Sequence, residues 1–166
     1  LVGRPNVGKS TLFNRLVGKK ISIIEDTPGV TRDRIYGLVK YNDYNFHLID
    51  TGGIDISKEV FNNEIIVQAN IAIEEADTIL FVVDGKEGLT SNDYVVRDIL
   101  MKSNKKVIVV INKCDSKESK DNMYDFYELG FDTYMPVSGE QNEGIWDLKE
   151  EITKDFEDYT NEDEDP

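Results

Sequence analysis

The sequence predicts an α/β fold with three layers, in which helices cover both faces of a mostly parallel sheet. Residues 79–83 and 107–111 are unbroken apolar runs rich in β-branched side chains, as in strands buried on both faces. Longer amphipathic segments alternate with these runs, which is typical of βαβ units. A hairpin interrupts the alternation. Together these observations predict a mixed sheet of about six strands with one antiparallel strand.

The predicted helices rest on apolar spacing and on one start signal. Apolar side chains recur at helical intervals over residues 66–76 and 145–156. Residues 90–102 form a third predicted helix, because Thr90 and Asp93 have nearly the spacing of a capping box. A fourth helix is expected over residues 9–17.

The hairpin comprises residues 35–41 and 45–50, which a short connection joins. A connection of that length cannot hold a crossover helix, so the two strands are expected to be antiparallel. Residues 1–2 are expected to belong to a truncated first strand. The acidic segment 157–166 is predicted to be a solvated linker that follows a folded domain over residues 1–156.

The composition favours a globular domain in a reducing compartment. The 166 residues fit one domain, and no apolar run approaches the ~18 residues of a membrane helix. The single cysteine, Cys114, cannot form an internal disulfide, which suits the cytoplasm. With 33 acidic and 19 basic residues, the net charge is −14, which disfavours direct nucleic-acid binding by this segment.

Residues 3–10 fit the pattern G-x-x-x-x-G-K-[ST], which runs directly into a predicted helix. Gly3 and Gly8 let the backbone approach a polyphosphate, and the amides at the helix start then face the anion. Lys9 places a cation between the terminal phosphates, and Ser10 offers a hydroxyl to Mg²⁺. A chance glycine turn is the alternative. The pattern predicts phosphate binding but does not choose GTP over ATP, or hydrolysis over phosphoryl transfer.

Three further motifs follow along the chain. Residues 50–53 are D-x-x-G, whose aspartate can hold Mg²⁺ through water and whose last glycine can offer its amide to a γ-phosphate. Residues 112–115 are N-K-C-D, and residues 136–139 are P-V-S-G. Alone, the first of these motifs is also explained by a turn after a strand, and Asp115 by a helix N-cap.

The N-K-x-D motif makes the sequence similar to the translation-factor-type GTPases, which use it to recognise guanine. The resemblance implies that Asp115 accepts hydrogen bonds from guanine N1 and N2, and that Lys113 packs over the ring. It also implies that Asn112 ties the base loop to the phosphate loop. Cys114 is expected to be a spacer.

Ser138 and Gly139 resemble the last guanine loop of these proteins, which is usually S-A-K or S-A. Glycine replaces alanine here, and Glu140 stands where lysine is common. The resemblance implies a backbone contact to guanine O6, while the packing of the side chain is left open.

Thr31 lies in residues 28–34, and the resemblance makes it the candidate switch threonine. In a loop there, its hydroxyl would bind Mg²⁺ and its amide the γ-phosphate. An ordinary loop threonine is the alternative. Ile54 occupies the place of the glutamine that orients water in Ras-type enzymes, and it can neither donate nor accept. Either the water is held another way or the domain is catalytically idle.

Segments over nearly the whole chain resemble the Era/TrmE/Der group, and the first G domain of the Der (EngA) family in particular. These segments are residues 3–16, 30–37, 50–55, 72–77 and 81–85. Members of the group carry a hydrophobic residue at the place of Ile54, and several use a potassium ion held by the loop asparagine, here Asn6. Such a cation would neutralise charge between the β- and γ-phosphates. Arg32 and Arg34 are alternatives for that role, although solvated or paired arginines are more common.

The same resemblance implies late assembly of the large ribosomal subunit, with GTP and GDP as ligands. It also implies a second G domain and a KH-like domain beyond the acidic linker. His47 is expected on the surface of a hairpin strand, without a catalytic role.

The predicted site has catalytic, nucleotide-binding and metal-binding members. The catalytic set is Lys9, Thr31, Asn6 and Gly53. The GTP-binding set is Gly3, Arg4, Pro5, Asn6, Val7, Gly8, Lys9, Ser10, Thr11, Asp50, Thr51, Gly52, Gly53, Ile54, Asn112, Lys113, Cys114, Asp115, Ser138 and Gly139. The metal set is Ser10, Thr31 and Asp50 for Mg²⁺, the aspartate through water, and Asn6 for K⁺.

Two other functions compete with a GTP-hydrolysing switch. A P-loop kinase would pass phosphate to a small metabolite, but N-K-x-D argues against it. A module that senses nucleotide with negligible turnover is favoured by Ile54. Nucleotide preference distinguishes the first rival, and turnover distinguishes the second.

Overall fold

The computed structural model describes residues 1–3, 7–17, 19–27, 30–42, 44–50, 61–154 and 156, without the side chains of residues 19–36, 61–65 and 68. Helices and strands alternate along much of the chain, as the sequence predicts. In chain order they are α1 (Lys9–Leu16), β1 (Lys19–Thr27), β2 (Val30–Tyr41), β3 (Tyr44–Asp50), α2 (Phe61–Glu75), β4 (Thr78–Asp84), α3 (Ser91–Lys102), β5 (Lys106–Asn112), α4 (Lys117–Phe126), β6 (Thr133–Pro136) and α5 (Ile145–Thr153).

One three-stranded sheet is parallel and contains β4, β5 and β6 in that order. Val2 extends it on the other side of β4, since its amide donates to Leu80 O at 2.9 Å and its carbonyl accepts from Val82 N at 2.7 Å. In the register of β4 and β5, Asp84 lies opposite Asn112. The carboxyl ends of these two strands therefore meet at one edge, where loops of an α/β sheet bind ligands.

A second three-stranded sheet is antiparallel and contains β1, β2 and β3, with β2 running opposite to both neighbours. The Leu1 amino group donates to Ile49 O at 2.8 Å, which links β3 to the segment that pairs with β4. The P-loop G-domain fold that the sequence predicts is confirmed in its layers and in the direction of β2.

The segment before the predicted hairpin differs from the expectation. Thr31 was expected in a loop, but it is the second residue of β2 and lies opposite Asp26 of β1. The hairpin strand is longer than predicted because β1 supplies a second partner for it. Ile21 and Ile23, which alternate with Ser22, have the β-branched pattern of a strand, and pairing with β2 satisfies their backbone groups.

Two apolar clusters cover the two faces of the sheet. One contains Leu12 of α1 and Leu148 of α5, and the other contains Val96 of α3 and Phe126 of α4. Consecutive residues of β4 alternate between these clusters, so the strand is buried on both faces. The three predicted layers follow from this packing.

The start of α3 follows the predicted capping box. Thr90 N donates to Asp93 Oδ2 at 2.9 Å. The side chain of the third helical residue therefore accepts a hydrogen bond from the backbone amide of the residue before the helix. Among the residues that the structure describes, none of the helices has the length and hydropathy of a membrane span.

Candidate functional site

The predicted phosphate loop leads directly into α1. Gly8 precedes the helix with a φ of 89°, and glycine has no side chain to cap the first-turn amides. The Lys9 ammonium donates to Gly3 O at 2.7 Å, which brings it back across the loop. Ser10 is exposed at the helix start, as is Thr11. The predicted contacts of Arg4, Pro5 and Asn6 lie outside the described residues.

The two glycines of this loop are required by close packing. A Cβ on Gly3 would overlap the carbonyl oxygen of Val82, and a Cβ on Gly8 would overlap the side-chain amide of Asn112. The positive φ of Gly8 adds backbone strain for any L side chain. The loop can therefore lie against β4 and β5 only because these positions carry no side chain.

Asn112, the last residue of β5, joins two loops that are far apart in sequence. Its Nδ2 donates to Val7 O at 2.9 Å, and its Oδ1 accepts from Gly139 N at 3.0 Å. The side chain is 3% exposed, so both bonds are shielded from water. The phosphate loop and the last predicted guanine loop are thus fixed relative to the end of β5.

Lys113 follows with a φ of 62°, and its ammonium lies 2.9 Å from Asp84 Oδ2. The other carboxylate oxygen of Asp84 accepts from the amides of Lys86 at 2.9 Å and Glu87 at 3.0 Å. Burial raises the pKa of Asp84, but the hydrogen bond from Lys113 and those from the two amides outweigh it and hold the pKa below 3.8. Asp84 therefore acts as a fixed anchor for the Lys113 side chain.

Cys114 and Asp115 have opposite environments. Cys114 packs into the core beside α4, its amide donates to Val137 O at 2.9 Å, and burial raises the pKa of its thiol. Asp115 is exposed. The next residue, Ser116, caps α4 by accepting from Ser119 N at 3.2 Å, so Asp115 is not the cap of that helix.

The last predicted guanine loop is a tight turn. Ser138 N donates to Glu143 O and Glu143 N donates to Ser138 O, each at 2.9 Å. Ser138 Oγ accepts from Gln141 N at 3.2 Å. The loop also packs against α1, since a Cβ on Gly139 would lie 3.3 Å from Leu12 N. The small residue at Gly139 thus allows close approach of loop and helix.

Asp50 ends β3 and is buried. Thr51, Gly52, Gly53 and Ile54 lie outside the described residues.

Two of the predicted metal ligands, Ser10 and Asp50, lie in the part of the chain that the structure describes. Mg²⁺ is usually bound by one or two protein ligands, waters and substrate phosphates. The hydroxyl of Ser10, exposed at the end of the phosphate loop, and the carboxylate of Asp50, at the end of β3, are ligands that fit that type of site.

Two residues of this region were missed by the sequence interpretation. Asp84 forms an ion pair with Lys113. The sequence pattern could have predicted this, because Asp84 ends the predicted strand next to β5 and so lies beside the end of β5. Arg15 donates to the carbonyls of Gly139 and Glu140, and no spacing rule connects residues so distant in sequence.

Comparison with known proteins agrees with this geometry. The family model described as "50S ribosome-binding GTPase" matches residues 1–113. The chain belongs to this GTPase family.

Within the family, the chain is similar to proteins named GTPase Der. It is 55% identical over 166 residues to the one from Ligilactobacillus salivarius, covering 99% of the chain and 38% of that relative. It is 49% identical over 165 residues to the one from Staphylococcus carnosus, again with 99% and 38% coverage. The predicted resemblance to the Der family is confirmed. The chain spans less than half the length of these relatives.

Solved structures with a related G domain superpose on this chain. Era in complex with MgGDPNP and a 16S ribosomal RNA segment is 34% identical with a TM-score of 0.73, covering 92% of this chain and 54% of that one. The G domain of the T. maritima FeoB iron transporter is 30% identical with a TM-score of 0.68, covering 92% and 94%. The GTPase fold thus extends well beyond the residues of the family match.

Proposed function

We propose that this chain is a GTP-binding domain that hydrolyses GTP to GDP and phosphate. The observation that carries the proposal is the double role of Asn112, whose one amide group binds the phosphate loop and the last guanine loop. These two bonds hold the proposed phosphate loop and the proposed base loop at the same edge of the sheet, which supports one nucleotide site there. The family membership supports it.

At the base, Asp115 would accept from guanine N1 and N2. Its exposed carboxylate follows a strand end that Asn112 holds rigidly, and Ser116 rather than Asp115 caps the next helix. Adenine offers no matching pair of donors, so a carboxylate there selects guanine. Lys113, held by Asp84, would cover the ring.

At the phosphates, Lys9 and the amides at the start of α1 would hold the anion. Ser10 and Asp50 would hold Mg²⁺, the aspartate through water, and Gly53 would donate its amide to the γ-phosphate. Thr31, paired with Asp26 in this structure, would join the ion only when the start of β2 separates from β1. The ion would supply charge neutralisation between the phosphates. Water then attacks the γ-phosphorus, the bond to the β-phosphate oxygen breaks, and GDP leaves.

We further propose that potassium assists this step, with Asn6 as one of its ligands. Ile54 cannot orient water as a glutamine does, and a second cation near the β- and γ-phosphates would lower the barrier by stabilising the charge that develops there. Ile54 is also the reason to keep a second candidate function, a nucleotide-sensing module with negligible turnover.

The biological setting is proposed from the relatives. Proteins named GTPase Der are longer than this chain, which covers 38% of the first of them. We propose a G domain over residues 1–156, an acidic linker over residues 157–166, and further domains, a second G domain and a KH-like one. The intact protein would act in the cytoplasm in assembly of the large ribosomal subunit. The net charge of −14 favours RNA contact through other domains.

Turnover and its base selectivity test the proposal. The purified chain should release phosphate from GTP and not from ATP, and only with Mg²⁺. Asp115→Ala should lose that selectivity, whereas Asp132→Ala, an exposed aspartate before β6, should keep it. Equal use of ATP and GTP, or unchanged selectivity in Asp115→Ala, would overturn the proposal. A requirement for a small-molecule acceptor would indicate a kinase instead.

The same assay in KCl and in NaCl tests the role of potassium. We expect faster hydrolysis in KCl and no such gain in Asn6→Ala. Equal rates in both salts would remove the potassium step and leave the GTP site intact. Tight GTP binding without phosphate release in either salt would support the sensing module.

A further inference from the structure

Arg15 donates two hydrogen bonds to the loop at residues 139–140, which is distant from it in sequence. It lies in the last turn of α1, the helix that begins in the phosphate loop. Its Nε donates to Gly139 O at 2.8 Å, and its Nη2 donates to Glu140 O at 3.1 Å. One guanidinium therefore holds two consecutive carbonyls of the last predicted guanine loop.

The peptide groups around Gly139 are held from both sides. Asn112 accepts from Gly139 N at 3.0 Å, and Arg15 donates to Gly139 O. The base of the loop is closed separately by the paired bonds between Ser138 and Glu143. The Gly139 carbonyl and the Glu140 amide belong to one planar peptide group, so a bond that fixes this carbonyl also fixes the direction of the Glu140 amide.

We propose that Arg15 is a positioning residue for guanine recognition, which rests on the proposed GTP site. It aims the backbone amide of Glu140, in the loop after Ser138, at the O6 atom of the base, and it connects that loop to the helix that holds the phosphates. Arg15 touches neither the base nor the phosphates in this role. Arg15 acts indirectly, by orienting the backbone amide that donates to the base.

A simple helix-end charge does not account for the arrangement. A cation in the last turn stabilises a helix by interaction with its dipole, and any orientation of the side chain would serve. Arg15 instead extends to carbonyls more than a hundred residues away, with two different nitrogens. A planar guanidinium can make such a pair of parallel bonds, while a lysine ammonium can replace them only in part.

The chemistry of the bases gives a distinctive readout. Guanine and hypoxanthine both carry O6, whereas adenine carries an amino group there. Hypoxanthine lacks the N2 group that Asp115 would bind. Loss of Arg15 should therefore weaken GDP and inosine diphosphate by the same factor and leave ADP nearly unchanged. A general loss of structure would weaken all three nucleotides.

The experiment compares nucleotide affinity in Arg15→Ala, Arg15→Lys and a matched control. Arg97→Ala is that control, since Arg97 on α3 contacts its neighbours Asp98 and the Tyr94 ring. Affinities for GDP, inosine diphosphate and ADP are measured by titration, with thermal unfolding alongside. For Arg15→Ala we expect GDP and inosine diphosphate to bind roughly tenfold more weakly, as for two lost, partly exposed hydrogen bonds. Arg15→Lys should lie between Arg15→Ala and the unmodified chain, and Arg97→Ala should match the unmodified chain.

Three results would overturn the inference. These are unchanged GDP affinity in Arg15→Ala, an equal loss for ADP, or a loss for GDP without one for inosine diphosphate. If Arg15→Ala does not fold, an intermediate affinity in Arg15→Lys supports the inference and an unchanged one contradicts it. An unmodified chain that binds ADP as tightly as GDP would instead show that the proposed function is wrong.

Discussion

At the guanine end of the proposed site, the loops are held in place by side-chain hydrogen bonds and an ion pair. At the phosphate end, the loop is held by the backbone conformation of two glycines. The guanine end depends on Asn112, on the Lys113–Asp84 ion pair and on Arg15. The phosphate end depends on Gly3 and Gly8, whose missing side chains let the loop lie against the sheet.

The difference follows from what each end must recognise. A base edge presents donors and acceptors in fixed directions, so the loops that recognise it need directed side-chain bonds. A polyphosphate is bound by many amides at once, and these are aligned by backbone conformation. Substitutions should therefore act through lost side-chain contacts at the guanine end, and through charge or backbone strain at the phosphate end.

The largest expected effect belongs to Lys9, the cationic side chain of the phosphate end. Lys9→Ala should lower the GTP turnover rate by about 100-fold, because it removes a cation that neutralises transition-state charge. The measurement is phosphate release at saturating GTP. Lys102→Ala, at the exposed end of α3, should leave the rate unchanged. Normal turnover in Lys9→Ala would contradict the assignment of this loop.

Backbone strain at the phosphate end should appear as lost stability. Gly8→Ala should lower the free energy of unfolding by roughly 2–4 kcal/mol, since it combines a positive φ with overlap on Asn112. Gly88→Ala is a matched control, because Gly88 has a φ of 87° and a Cβ there would meet the Asn122 amide at an ordinary contact distance of 3.9 Å. It should cost about 1–2 kcal/mol. Equal losses of unfolding free energy in the two variants, measured by urea unfolding, would show that the overlap with Asn112 does not destabilise Gly8→Ala.

A smaller effect is expected where one side chain only orients another. Asp84→Asn should weaken GDP binding by roughly threefold to tenfold, because Lys113 loses a charged partner while the turn after β4 remains. Asp98→Asn removes the carboxylate of an exposed ion pair and should have no effect on GDP binding. Unchanged affinity in Asp84→Asn would show that Lys113 is oriented by something else.

The same ion pair predicts a dependence on pH. Because the folded-state pKa of Asp84 lies below its ordinary value of 3.8, its contribution to stability is present above that pH. It is lost as the pH falls through the lower folded-state value. The difference in unfolding free energy between the unmodified chain and Asp84→Asn should therefore shrink below pH 3.8. A constant difference would contradict the pairing.

The smallest effect is expected at Cys114, which lies between two residues of the guanine motif and faces the core. Cys114→Ala should leave GDP affinity unchanged and lower stability slightly, because it removes a buried sulfur. Burial raises the pKa of the thiol, so its alkylation in the folded chain should be slow at neutral pH. Fast alkylation, or a loss of GDP affinity, would give Cys114 more than a spacer role.

Local patterns predicted the parallel half of the fold well. The runs at residues 79–83 and 107–111 became β4 and β5, and residues 90–102 became α3. These signals are strong because each segment is buried on both faces or begins at a capping side chain. In contrast, β1 was missed because its pairing with β2 follows from contact between segments rather than from a pattern in either one.

The candidate site shows the same limit. The motifs identified Asn112 and Lys113, but Arg15 was not found because its partners are backbone carbonyls, which every residue has. The helix α4 was also missed, since its sequence is largely polar and its start depends on the Ser116–Ser119 capping bonds. Hydrogen bonds to the backbone are hard to predict from sequence, because every residue offers the same backbone groups.

The central claim is that the loops joined by Asn112 form a site for a guanine nucleotide. Calorimetric titration of the unmodified chain with GDP and with ADP, in the presence of Mg²⁺, tests it most directly. We expect GDP to bind at least about 100-fold more tightly, because a site with a carboxylate aimed at N1 and N2 leaves that group unpaired with adenine. Equal affinities for the two nucleotides would contradict the claim.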